Sequence, residues 1–161
     1  MQINKSTLAK IKEYILETQA KSTYNSAPHH PLEMCYHPKR CEGWNLGNCY
    51  KYANRYLATD GEKAGNVKDL YKVCHYAYLQ YARVTLNHNG SLGEYIIKIN
   101  DGSNIDNLFG TIGFVNPDTI ADFRNDDSQI SSKFWHFNRY LKLALLLIQQ
   151  YENEHIDLET T

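Results

Sequence analysis

Residues 46–84 read LGNCYKYANRYLATDGEKAGNVKDLYKVCHYAYLQYARV, and the period of their apolar residues decides the fold. Leu46, Tyr50, Ala53 and Leu57 recur at spacings of three and four, the repeat of one helix face. Val67, Leu70, Cys74, Ala77, Tyr81 and Val84 repeat the pattern over residues 67 to about 86. Between the two runs, ATDGEKAG (58–65) is polar and carries two glycines, and Asn66 is a residue type that caps helices. The spacing predicts a helix from Trp44 or Leu46 to Leu57, a short loop and a second helix, antiparallel because the connection is short. When the apolar stripes meet, Asn48, Lys51 and Arg55 fall on one outer flank. Asp69, Lys72, Tyr76 and Arg83 fall on another.

Upstream, Leu8, Ile11 and Ile15 mark a first helix, with Asn4 or Ser6 able to cap it. Residues 22–45 hold Pro28, Pro31, Pro38 and Gly43, which break helical periodicity, and are read as an extended strap. Downstream the pattern changes. Asn89-Gly90 signals a turn, and EYIIKI (94–99) and FGTIGFV (109–115) read as an antiparallel strand pair joined through Asp101-Gly102. Asn116 and Pro117 open a short helix to Phe123, and 124–132 is a polar loop. The last helix runs over 132–154. Phe134, Phe137, Leu141, Ala144, Ile148 and Tyr151 repeat at helical spacing, and Leu143, Leu145, Leu146 and Leu147 widen the apolar girth. Such a helix lies at the centre of a bundle or covers a subunit contact. The expected fold is therefore mainly α: a small helical bundle with an appended antiparallel β-hairpin. One domain (1–161) would comprise a motif-bearing helical pair (36–86), a strand pair (90–116) and the C-terminal helix (132–154).

The 161 residues suffice for a core without disulfides or a structural metal. No apolar run follows a basic start, and Leu143–Ile148 is too short to span a bilayer. The chain is expected to be cytoplasmic and unattached to membrane, with Cys35, Cys41, Cys49 and Cys74 reduced. A zinc site from Cys35, Cys41, His37 and His29 or His30 matches no common ligand spacing, so no metal ligands are assigned. The net charge of −1 hides an asymmetry. Residues 35–86 carry 8 basic groups against 4 acidic, whereas residues 87–161 carry 5 against 11. Seven of the 13 tyrosines also fall in the basic stretch, between Tyr50 and Tyr81. Aromatic rings beside modest positive charge suit a compact phosphate-bearing ligand better than a long nucleic-acid track.

Lys51, Arg55, Lys63 and Lys72 can neutralise phosphate, Lys as a point charge and Arg as a fork. Asn48 adds an amide, Tyr52 and Tyr76 offer stacking or hydroxyl donors, and Asp69 can accept a proton or hold magnesium. No GxxxxGK[ST] loop is present, so a triphosphate would not be cradled by a P-loop. Cys49 and Cys74 read as buried inert thiols, and Trp44 and Trp135 as core or interface anchors.

The order His37-Pro38, Gly47-Asn48-x-x-Lys51-Tyr52-x-x-Arg55, Lys63, Asp69-Leu70-x-Lys72 and Tyr78 resembles a family of small tailed-phage nucleotide kinase-like proteins. The resemblance covers about residues 36–80 and departs from the family at Lys39-Arg40-Cys41, where a His-Tyr pair is usual. It implies a nucleotide-binding phage protein working in the host cytosol as a homo-oligomer. It would transfer phosphate to a (deoxy)nucleoside monophosphate without a P-loop, with magnesium as the implied cofactor. In that reading Asp69, Lys51 and Arg55 are catalytic. His37, Asn48, Lys51, Tyr52, Arg55, Lys63, Lys72 and Tyr76 bind the ligand. The same cations and rings equally suit a non-catalytic sponge that sequesters a host nucleotide second messenger to counter antiviral defence. Both alternatives stand at the level of sequence.

Overall fold

The computed structural model describes residues 1–21, 28–86, 90–126 and 133–160, with side chains in the last helix described to His155. Its helices are α1 (Lys5–Ala20), α2 (Leu32–Tyr36), α3 (Cys41–Leu57), α4 (Val67–Val84), α5 (Leu92–Ile99), α6 (Gly102–Gly110), α7 (Thr119–Arg124) and α8 (Phe137–Thr160). Among the described residues there is no strand. None of these helices is long and apolar enough to cross a membrane.

α3 and α4 form the antiparallel pair that their periods predict, and α4 lies also along α8. Asn66 caps α4 by accepting from the Lys68 amide at 3.0 Å. Gly65, at φ +74°, turns the connection so that its amide reaches the Tyr56 carbonyl at 3.1 Å. The buried face of α3 differs by one residue from the expected stripe. Cys49 lies in the core, while Tyr50 is 39% exposed. α4 is buried far beyond one stripe: Leu70, Val73, Cys74, Ala77, Tyr78, Leu79 and Ala82 are all covered, and Val84 at its end is exposed. α3 and α8 cover part of its surface, and α1, α5 and α6 cover more.

α8 resolves the alternatives left by its girth. Every residue from Leu143 to Ile148 is buried within the single chain, so the helix is central to the bundle. Its Gln149 ties α1 to the core, accepting from the Asn4 amide at 3.0 Å.

The β-hairpin expected over 90–116 is not formed. EYIIKI lies within α5, where Tyr95 and Ile99, four apart, are buried and Ile97 is 74% exposed. An alternating strand would have put Tyr95, Ile97 and Ile99 on one face. The Ser91 hydroxyl accepts from the Glu94 amide at 3.1 Å, a Ser-x-x-Glu start that outweighs the β-propensity of the isoleucines. Asp101 caps α6 through the Ser103 amide at 3.0 Å. Phe109 and Gly110 end α6 instead of opening a strand, and Gly113 turns the chain at φ +61°.

The strap also differs from expectation. Pro31 precedes a five-residue helix, α2, and α3 begins at Cys41, before Gly43. Proline is tolerated at a helix start, and a glycine in the first turn costs little there. α7 starts at Thr119, after an Asn116 side chain that accepts from the Asp118 amide at 2.9 Å. Asn89 of the expected turn and most of the 124–132 loop lie outside the described residues, and Arg124 itself ends α7; the last helix begins at Phe137, so Phe134 precedes it and does not lie in its stripe.

Candidate functional site

The flank shared by α3 and α4 is built on one ion pair. Arg55 reaches across and grips both oxygens of Asp69, Nε to Oδ2 at 2.7 Å and one terminal nitrogen to Oδ1 at 2.6 Å. Asp69 is buried, and the Lys72 ammonium, one helical turn along, stands 3.7 Å from Oδ1. A buried carboxylate needs such compensation, and the bidentate fork provides it. In return Asp69 raises the proton affinity of Arg55, chiefly through the hydrogen bond.

The Tyr52 ring sits among three cations. Lys51 Nζ, Arg55 Cζ and Lys72 Nζ lie 5.2, 5.0 and 4.9 Å from its centroid. Each contact is an attraction between a cation and the ring's quadrupole. Tyr76 stacks beside Tyr52, with centroids 6.2 Å apart and planes within 16°. With one carboxylate among three cations, the flank is positive and aromatic together.

Tyr52, Lys72 and Tyr76 form one edge of a groove of about 500 Å³. Tyr14 and Thr18 of α1 and Ile96 and Ile99 of α5 supply other walls, and Trp44, 38% exposed, stands on the α3 side. The groove is aromatic and apolar inside, with its polar groups fixed. Gln19 donates to the Ile99 carbonyl at 2.8 Å and to the Asn100 side chain at 3.1 Å. Its oxygen therefore faces His75 Nε2 at 3.0 Å, which places the imidazole proton on that nitrogen. Burial pushes His75 down to about 4, so it is neutral at pH 7.

Of the residues singled out by sequence, the fold thus brings together Lys51, Tyr52, Arg55, Asp69, Lys72 and Tyr76. The others are placed differently. His37 ends α2 in an extended conformation, as a residue before proline must, and its carbonyl accepts from the Arg40 and Cys41 amides. Arg55 lies 14 positions beyond Cys41, roughly 21 Å along the helix axis. Asn48 turns back on its own helix, donating to the Trp44 carbonyl at 2.8 Å. Lys63 is exposed on the loop between α3 and α4.

Tyr14, Gln19, Trp44, His75, Ile96 and Ile99 also line the groove, and no sequence motif marks them. Tyr14 and Thr18 share a helix face, a signal available in sequence. The α5 wall was hidden by reading those residues as a strand.

Among the described residues no group of three or more His, Cys, Asp and Glu gathers as a metal site. His29 is on the surface, 3.5 Å from Glu33, while Cys35 and Cys41 are buried. Burial pushes the Cys35 thiol up to about 12 and also raises Cys49 and Cys74, which keeps these sulfurs protonated and unreactive. Compared with protein families, curated proteins and solved structures, the chain matches none.

Proposed function

We propose that the protein binds a nucleotide in the groove edged by Tyr52, Lys72 and Tyr76, base against the aromatic walls and phosphate toward Lys72 and Lys51. The observation that carries this reading is the conjunction of an aromatic groove of about 500 Å³ with a cluster of cations at one edge. Small-ligand sites combine apolar walls with a few fixed polar groups, and base stacking contributes roughly 1–3 kcal/mol per base. The resemblance of residues 36–80 to the phage nucleotide kinase-like family supports the same ligand class. The homo-oligomer rests on that resemblance alone, since α8 spends its apolar girth within one chain.

Retention of the nucleotide is favoured over phosphate transfer by the state of Asp69. Both its oxygens are held by Arg55, so it is engaged as an ion-pair partner, not poised as a base. The test is incubation of the purified protein with labelled mono-, tri- and cyclic nucleotides in the presence of magnesium, followed by recovery of the label. Stoichiometric retention of unchanged ligand is the expected outcome. Conversion of the label would restore the phosphotransferase reading, and absence of binding would remove both.

A further inference from the structure

At the opposite end of the α3–α4 pair, a second cavity of about 500 Å³ opens beside the His37-Pro38 corner. None of the residues around it lines the groove of Tyr52 and Lys72. Its polar groups are set by a chain of hydrogen bonds that can be followed from the core outward. Asn45 is fully buried, and its Nδ2 donates to the Cys35 carbonyl at 3.1 Å and to Gln80 Oε1 at 2.9 Å. The Cys35 carbonyl can only accept, so it fixes which end of the Asn45 amide faces it. That in turn fixes Gln80, whose oxygen points inward to Asn45. The Gln80 amide nitrogen donates to no acceptor among the described residues, although the side chain is 96% buried and borders the cavity.

Facing the cavity, this donor is available to an anion, while the fully enclosed atom of the pair without a partner is the acceptor Asn45 Oδ1. Two basic groups around the cavity, Arg83 and Lys39, agree in sign, against one carboxylate, Glu42. Arg83 spends Nε on the Tyr36 carbonyl and lies 5.0 Å over the Tyr36 ring, a fixed pose that leaves its terminal amino groups for another partner. Lys39 is exposed at the rim. The first turn of α3 also borders the cavity through Glu42 and Gly43, and Arg40 gives that turn no side-chain cap. A helix start presents amide donors and the positive end of its dipole. The single carboxylate here, Glu42, accepts from Trp135 Nε1 at 2.9 Å.

We propose that this cavity is a second, anion-binding site that takes a phosphate group between Gln80, Arg83, Lys39 and the amino-terminal turn of α3. The group is either free inorganic phosphate or the terminal phosphate of a small monoester. The site gives the His37-Pro38 corner a role, since that turn delivers Lys39 and the start of α3 to the cavity.

The test is a phosphorus NMR titration of the full-length protein with inorganic phosphate and, separately, phenyl phosphate. Saturable binding below about 10 mM is expected. Lys39→Glu and Gln80→Leu should each weaken it about tenfold, as loss of a charge-assisted contact does. Lys68→Ala, an exposed position at the other end of the pair and outside both cavities, should leave it unchanged. Tighter binding of phenyl phosphate that Lys39→Glu weakens would name the monoester as the source, and equal binding the free ion. Lys39 is exposed, so Lys39→Glu remains informative even if Gln80→Leu fails to fold. No saturable binding by the wild type, unchanged affinity in Lys39→Glu, or loss of binding in Lys68→Ala would each overturn the proposal.

Discussion

Asp69 shows how one residue can be read correctly for position and differently for role. Sequence spacing puts it opposite Arg55, and the structure joins the two at 2.6 and 2.7 Å. What spacing does not convey is burial: a solvated carboxylate can serve as a base, whereas this one is enclosed and neutralised by its partner. Asp69→Asn would leave the Arg55 charge half-paired across the α3–α4 seam. A loss of roughly 3 kcal/mol is expected, read as a lower urea midpoint. An unchanged midpoint would show that the pair does not stabilise the seam. Tyr52 illustrates the opposite case, in which the tyrosine excess of the basic stretch includes the ring that three cations surround. Tyr50, assigned to the core by the same period, is exposed because Cys49 takes the buried position. Cysteine behaves as a small apolar residue, so either face satisfied the pattern.

Among the elements, α1, α3, α4 and α8 were legible because their apolar repeats run for several turns. The segment 92–110 was not. In α5, Ile96, Ile97 and Ile99 at close spacing imitate a strand and only the cap tells the two apart, while α6 begins where Asp101-Gly102 signals a loop. Ser91 and Glu94 were the readable signal. Ser91→Ala should cost about 1 kcal/mol of stability, and an unaltered thermal midpoint would argue against the cap. The junction of α1 and α4 carries a pH dependence. His75 is held near 4, below its ordinary value of 6.5, so the unfolded chain takes up a proton first as pH falls. Its contribution is intact above pH 6.5 and lost between 6.5 and 4, on the order of 1–3 kcal/mol in total. His75→Gln should flatten the dependence of the urea midpoint over that window relative to wild type. Identical slopes would place the titration elsewhere.

For the whole molecule, the core is organised around α4 and α8, with α8 buried on several sides. Leu145→Ala, at a fully buried position, should cost about 2–5 kcal/mol in denaturant unfolding, whereas a helix reserved for a subunit contact would tolerate it in the monomer. The groove is a product of this arrangement. It needs α1 and α5 beside α4, and no local pattern announces that three elements distant in sequence will share one wall. The cations and rings of residues 51–76 were visible in sequence; the cavity that they edge was not.

The central claim is that a nucleotide sits against Tyr52 with its phosphate toward Lys72. Equilibrium dialysis of labelled nucleotides tests it most directly, with wild type, Tyr52→Leu and Lys72→Ala compared at equal folded concentration. Saturable binding of at least one nucleotide by the wild type is expected, weakened about tenfold or more in each variant. Nucleotide binding that survives both substitutions undiminished, or no binding by the wild type, would contradict it.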